Sequence, residues 1–141
     1  MDWETFKDAA AAISWVAYLG TIGADGTPHV SVVAPGLGTE GHIWFATRIS
    51  SRKFRNLRKN PAVAFHWSVT GEGPGELIAS GTATIHGSQE DRERCWDAGV
   101  LSYDPSGFFG SKDNPDLAFV DVTVDRARLL GPDFVPQVWT P

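Results

Sequence analysis

Hydrophobic residues recur along this chain at two different periods, and the period changes from segment to segment. Trp3, Phe6, Ala10 and Ile13 fall three or four apart, which predicts a helix over residues 2–13 with Asp2 as its cap. From Trp15 to Ile22 β-branched and aromatic residues predominate, so this stretch reads as a strand. Gly23-Ala24-Asp25-Gly26 carries the Asp-Gly hairpin signal, and His29–Ala34 is the return strand. After a loop at Pro35-Gly36-Leu37-Gly38, His42–Thr47 and Pro61–Val69 read as the third and fourth strands. Thr70–Gly75 is glycine-rich with one proline and predicts a turn. Glu76–His86 is a long fifth strand. Ser88–Gly99 reads as a helix, with Ser88 at its cap and Asp91 three residues on, resembling a capping box. Leu101–Pro115 reads as loop. Leu117–Leu130 is the sixth strand, where Phe119, Val120, Val122 and Val124 partly alternate with Asp121, Thr123 and Asp125.

Six strands at hairpin spacing, with few helices between them, do not form βαβ units. They predict a mainly β fold: an antiparallel sheet closed into a small barrel with flanking helices. A chain of 141 residues suits one domain over its full length. The tail, residues 132–141, combines prolines with Phe134, Val135, Val138 and Trp139. Its apolar residues need a surface to cover, on the barrel or on a partner.

Composition adds exclusions. A formal net charge of −5 argues against general binding to nucleic acid or anionic membranes. Cys95 is the sole cysteine, so neither an intrachain disulfide nor a cysteine zinc site is available, and a reducing cytoplasm is the expected compartment. Met1-Asp2-Trp3-Glu4 lacks the basic start of a signal peptide. The apolar run Ala9–Val16 falls short of the roughly 20 residues a membrane span needs.

The distribution of charge changes the picture more than its total. No acidic residue occurs between Glu40 and Glu72, yet Arg48, Arg52, Lys53, Arg55, Arg58 and Lys59 all lie in that window. Ser50 or Ser51 caps a helix that runs to Lys59 and stops before Pro61, with Phe54 and Leu57 as its buried face. Arg52 and Lys53 occupy the first turn, where the helix dipole disfavours cations. Two cations beside the free N–H groups of a helix start make sense if an anion binds there, and Thr47, Ser50 and Ser51 add hydroxyl donors. A dianionic phosphate fits that donor set. The competing explanation is a solvated basic helix, which suits Arg55, Arg58 and Lys59. A nucleic-acid surface would need exposed aromatics, and Trp44 and Trp67 read as core.

Leu19-Gly-Thr-Ile, Asp25-Gly-Thr-Pro-His29-Val, Ile43-Trp-Phe-Ala-Thr47, Ser51-Arg-Lys-Phe-Arg-Asn-Leu57 and Asn60-Pro-Ala-Val-Ala64 occur in that order. Together with Gly81-Thr-Ala83 and Asp116-Leu-Ala-Phe-Val-Asp-Val122, they resemble the pyridoxamine 5'-phosphate oxidase-like, FMN-binding split-barrel superfamily, in its general stress protein branch. The resemblance runs from about Trp15 to Leu130. It implies a six-stranded antiparallel split barrel of Greek-key type, a homodimer with two FMN sites at the interface, and flavin-dependent oxidoreduction of a small molecule. It further implies that Arg52 and Lys53 contact the flavin phosphate, with Thr47 and Ser51 as hydroxyls nearby at the end of the strand carrying Ala46. Ser31, Val32 and Val33 match the strand whose backbone runs along the isoalloxazine ring.

This chain also departs from the resemblance. The pyridoxine-phosphate oxidases proper carry an arginine where this chain has Ser31 and a lysine near Gly36, and their C-terminal Arg-Leu-His motif has no counterpart around Gly131-Pro-Asp133. The chain is therefore not expected to be a pyridoxamine phosphate oxidase. The alternatives to FMN are the deazaflavin coenzyme, FAD and haem, and the alternative to an enzyme is a non-catalytic flavin- or haem-binding stress protein. His29, His42, His66 and His86 sit on four predicted strands without metal-ligand spacing, so no metal site is expected. His29 adjoins the flavin strand and is the one histidine with a relay role in view. Cys95 reads as a buried small hydrophobe. Trp96, Phe108, Phe109 and Trp139 are candidates for an aromatic that covers the cofactor from the partner chain.

Overall fold

The computed structural model describes residues 1–67 and 75–141. The predicted turn up to residue 74 and the last two residues of the predicted fourth strand lie outside them. In chain order the elements are α1 (Trp3–Ile13), β1 (Ala17–Ile22), β2 (Pro28–Val33), β3 (His42–Arg48), α2 (Arg52–Lys59), β4 (Ala62–Trp67) and β5 (Glu76–His86). They continue with α3 (Gln89–Ala98), α4 (Ser106–Phe109), β6 (Leu117–Leu130) and β7 (Pro136–Trp139). There are thus seven strands among the described residues where the pattern predicts six. The tail carries the seventh, and the segment predicted as loop contains the short α4.

The sheet order is β2-β1-β4-β5-β6-β3, antiparallel throughout, and β7 pairs with the far end of β6. The length of β6 explains how this works. Its first half, Leu117–Thr123, pairs with β3, and its last four residues, Ala127–Leu130, pair with β7. The two edges of the sheet approach each other at Gly36, whose N–H and C=O bond Trp44 at 2.7 and 2.9 Å. That contact joins the exit of β2 to β3 and makes a split barrel. A side chain at Gly36 would place its Cβ 2.1 Å from the Val100 carbonyl oxygen, so only glycine fits there.

Alternation supplies the core. Leu19, Ile43, Phe45, Phe65, Trp67, Leu77, Ala79, Val120, Val122 and Val124 face inward and are buried. Helix α1 closes one end of the barrel. Its Phe6 meets Trp67 edge-on at 5.5 Å, and its Trp3 packs on Trp139 of β7 at 4.9 Å. The tail is therefore held by the barrel through Trp139. Trp44 departs from the core reading: it is half-buried and stacks on His86 at 5.3 Å. Cys95 is buried against Leu117 and Phe119, as expected. Among the described residues no helix is long and apolar enough to cross a membrane.

Candidate functional site

The segment from β3 into α2 turns on a short polar relay. Within β3, Thr47 faces inward and is buried, whereas Ala46 and Arg48 face outward. The Thr47 hydroxyl lies 3.0 Å from the Ser51 hydroxyl. Ser51, the N-cap of α2, accepts a hydrogen bond from the Phe54 N–H at 3.2 Å, which settles which of the two serines caps the helix. Ser50 instead donates its backbone N–H and its hydroxyl to the Asp116 carboxylate, each at 2.8 Å. That pins the β3–α2 turn to the start of β6.

Helix α2 is seated by more than the two apolar residues its pattern offers. Phe54 and Leu57 are buried, and so is Asn56, whose side-chain amide donates to the Thr21 hydroxyl of β1 at 3.1 Å. A buried polar pair of this kind fixes how α2 sits on the barrel, because each group would be orphaned if the other shifted. Arg52 and Lys53 occupy the first turn with no acidic residue beside them in that turn. Among the described residues neither has an ion-pair partner within 4 Å. Arg52 is exposed; Lys53 is half-buried, and that burial pushes its ammonium below the ordinary lysine range. A partly desolvated, unpaired cation beside free helix N–H groups is an unfavourable arrangement until an anion joins it.

Ala46 and Arg48 of the preceding strand line a groove of about 260 Å³, together with Trp15, Val16, Val32, Val33, Ala34, Tyr103, Phe108 and Phe109. Of the residues singled out in the sequence, Val32, Val33 and Ala46 line this groove, whereas Thr47, Ser51, Arg52 and Lys53 gather at the α2 start. The two sets are linked through the consecutive residues Ala46 and Thr47 of β3, whose side chains face opposite sides of the strand. Ser31 lies in neither set. Its side chain points to the inner side of β2, where its hydroxyl is buried without a hydrogen-bond partner, and the Nδ1 of His29 two residues before it is orphaned in the same way.

Among the aromatic candidates, Phe108 and Phe109 line the groove of their own chain, together with Tyr103. Trp139 belongs to the core, and Trp96 packs in the small cluster under α3. Burial pushes the Tyr103 hydroxyl above the ordinary phenol range, so it stays protonated at neutral pH. Arg48 went unassigned in the sequence because it lies among six basic residues with nothing local to distinguish it. It donates to the Phe108 carbonyl at 2.9 Å, stands over the Phe109 ring at 5.3 Å and lies 3.7 Å from Asp116. It therefore fixes the aromatic wall of the groove against the β3–α2 turn. Arg55 donates to the Ser50 carbonyl, while Arg58 and Lys59 are exposed in the last turn of α2.

Hydrogen bonds from Ser50, with help from Arg48, hold the Asp116 carboxyl below the ordinary aspartate value of 3.8. A depressed carboxyl contributes stability that is complete above its unfolded value and is lost as the pH falls through its folded one. The parent protein is thus expected to lose stability on acidification below about pH 4 more steeply than an Asp116→Asn variant. Urea midpoints measured from pH 6 to pH 2 check this. Parallel profiles would remove Asp116 from the pinning role.

The remaining histidines do not form a ligand set. His42 bonds Asp121 at 2.9 Å, His66 lies 3.5 Å from Glu76, and His86 Nδ1 accepts from the Arg94 guanidinium at 3.2 Å. Among the described residues no group of three or more His, Cys, Asp or Glu side chains could hold a metal ion.

Residues 7–131 match the family model for pyridoxamine 5'-phosphate oxidase. No curated protein sequence matches. Solved structures share the fold at low identity. A Clostridium acetobutylicum protein related to general stress protein 26 of Bacillus subtilis is 17% identical, with a TM-score of 0.75 over 99% of this chain and 96% of that one. A nimc/nima family protein from the same organism is 17% identical, with a TM-score of 0.76 over 99% and 94%. A heme binding protein from Mycobacterium smegmatis is also 17% identical, with a TM-score of 0.71 over 99% of this chain and 58% of that one.

Proposed function

This chain belongs to the pyridoxamine 5'-phosphate oxidase family, and we propose that it is a dimeric FMN-binding oxidoreductase acting on a small molecule. The observation that carries the reading is the α2 start: a guanidinium and a half-buried ammonium with no ion-pair partner within 4 Å among the described residues, and the Thr47–Ser51 hydroxyl pair, which follows groove-lining Ala46 in sequence. That donor set suits a phosphate monoester, although Ser51 also caps α2 by accepting from the Phe54 N–H.

The residues present fit the cofactor. Ser51, Arg52 and Lys53, with Thr47 behind them, would hold the phosphate. Val32, Val33 and Ala46 would lie against the ring. The orphaned Ser31 hydroxyl faces the inner side of β2 and is not among the residues lining the groove, so its side chain has no part in holding the ring. Bound FMN would supply hydride or electron transfer at its N5 position. The chain's own contribution is positional. Arg48 keeps Phe108 and Phe109 at the groove, and these rings with Trp15 and Tyr103 exclude water. Among the described residues no carboxylate or histidine lines the groove, so the chain's own part there is not acid–base. The absence of an arginine at Ser31 argues against pyridoxamine phosphate as the substrate.

A second copy of the chain is the proposed partner. Val30, Val32, Tyr18 and Trp15 are exposed on the β1–β2 side of the sheet, next to the groove. Apolar residues grouped in this way mark an interface.

The experiment is a cofactor screen of apo protein against FMN, FAD, the deazaflavin coenzyme and haem. A stoichiometric FMN spectrum and a scattering mass twice the 15.3 kDa of the chain are the expected results. Preferential haem binding with a Soret band, or a monomeric mass, would overturn the assignment. Anaerobic titration of the bound flavin with NADH, NADPH and reduced deazaflavin separates an enzyme from a carrier. Bleaching by one donor supports turnover; no reduction by any of them identifies a carrier.

A further inference from the structure

The register of the sheet places a second basic site on its outer face, away from α2. Ser80 of β5 pairs with Arg126 of β6, but the next pair is Gly81 with Val124. Asp125 is therefore an extra residue on β6, a β-bulge that shifts the phase of the strand. Before it, Val122 and Val124 face inward; after it, Ala127 and Leu129 do, so Arg126 and Arg128 both turn outward. The bulge is built in. A Cβ at Gly81 would lie 2.2 Å from the Thr123 carbonyl oxygen, so only glycine lets the strands approach there.

Two guanidiniums on one face, two residues apart on a strand, repel each other at about 7 Å between their Cα atoms. Two carboxylates oppose that charge in part: Glu76, and the exposed Asp125 next to Arg126, which forms no ion pair within 4 Å among the described residues. Glu76 bonds Arg128 at 2.6 Å, but the same carboxylate also lies 3.5 Å from His66. Arg126 has no ion-pair partner among the described residues. The two arginines, Ser80 and Ile78 line a depression of about 270 Å³, with the Ser80 hydroxyl on the strand facing Arg126. Forked donors, a hydroxyl and an apolar floor are the components of an oxyanion site.

We propose that this depression binds a small, multiply charged oxyanion, a phosphate or carboxylate group of a metabolite, held by Arg126 and Arg128 with Ser80. The site is separate in residues from the phosphate site at α2 and holds whether or not a flavin binds there.

The test is titration of the isotope-labelled full chain with inorganic phosphate and, separately, with citrate, following backbone amides by NMR. Saturable shifts are expected at Ser80, Gly81 and Asp125–Arg128. Citrate binding more tightly would mark a carboxylate site, and phosphate binding more tightly a phosphate site; either supports the proposal. Replacing Arg126→Gln and Arg128→Gln together should weaken binding there by about 10-fold or more. Arg52→Ala with Lys53→Ala should leave it unchanged. Both arginines are solvent-facing, and an undisturbed amide spectrum away from the bulge verifies that the variant folds. Shifts confined to the α2 start, no saturation, or equal affinity in the glutamine variant would each overturn the proposal.

Discussion

Replacing Arg52→Ala and Lys53→Ala together is expected to weaken FMN binding at least a hundredfold while leaving the barrel folded. Each charged hydrogen bond to a phosphate is worth about 1.5–3 kcal/mol, and every 1.4 kcal/mol is about tenfold in affinity. Two such bonds therefore predict roughly a hundredfold to ten-thousandfold loss. The estimate favours the upper part of that range for Lys53. Its burial already weakens the ammonium's hydration, so less water has to be displaced when the phosphate arrives. The fold should survive because neither side chain contributes to the apolar face of α2, which rests on Phe54, Leu57 and the Asn56–Thr21 bond. Stability of the ligand-free variant should equal or exceed that of the parent, since removing cations from a helix N-terminus relieves an unfavourable dipole interaction. Fluorescence quenching of free FMN by parent and variant measures the affinity, and urea unfolding the stability. A variant that retains parental affinity would move the phosphate elsewhere, and riboflavin binding as tightly as FMN to the parent would do the same.

Much of this site was legible in the sequence because its signal is local. A cap residue followed by two cations violates the usual charge preference of a helix start, and that conflict can be read from Ser51, Arg52 and Lys53 alone. The strands were legible for a similar reason. The bounds of β5 and β6 match the predicted segments residue for residue, since both are long and bounded by turn or cap residues. What was missed depends on pairing across the chain. Asn56 reads as a polar surface residue until β1 brings Thr21 beneath it. Arg48 is one of six basic residues until α4 presents the Phe108 carbonyl and the Phe109 ring. The bulge at Asp125 cannot be seen in the pattern of β6, because only the register against β5 reveals the extra residue.

The tail is the clearest case of this kind, and it carries the second large effect. Prolines at 132 and 136 suppress any periodic signal, so residues 132–141 could be read only as apolar and in need of cover. In the structure β7 runs along β6, and Trp139 is buried between Trp3 of α1 and Gly41, where an added Cβ would lie 3.1 Å from the indole. Trp139→Ala should therefore cost about 3–5 kcal/mol, the usual range for removing a large buried aromatic. Domains of ordinary stability hold only about 5–15 kcal/mol in total, so this one change would bring the protein near the edge of folding. Three consequences add up in the same direction. The indole's apolar area returns to water, Trp3 loses the tilted ring packed on it at 4.9 Å, and α1 loses part of its seat over the barrel end, where Phe6 packs on Trp67. Phe134→Ser, five residues away, is the control. Phe134 is 79% exposed, so its loss should fall within about 0.5 kcal/mol of neutral. Urea denaturation of both variants decides the matter. A Trp139→Ala cost below about 1 kcal/mol would mean that β7 is an appendage and that the barrel and α1 hold together without it.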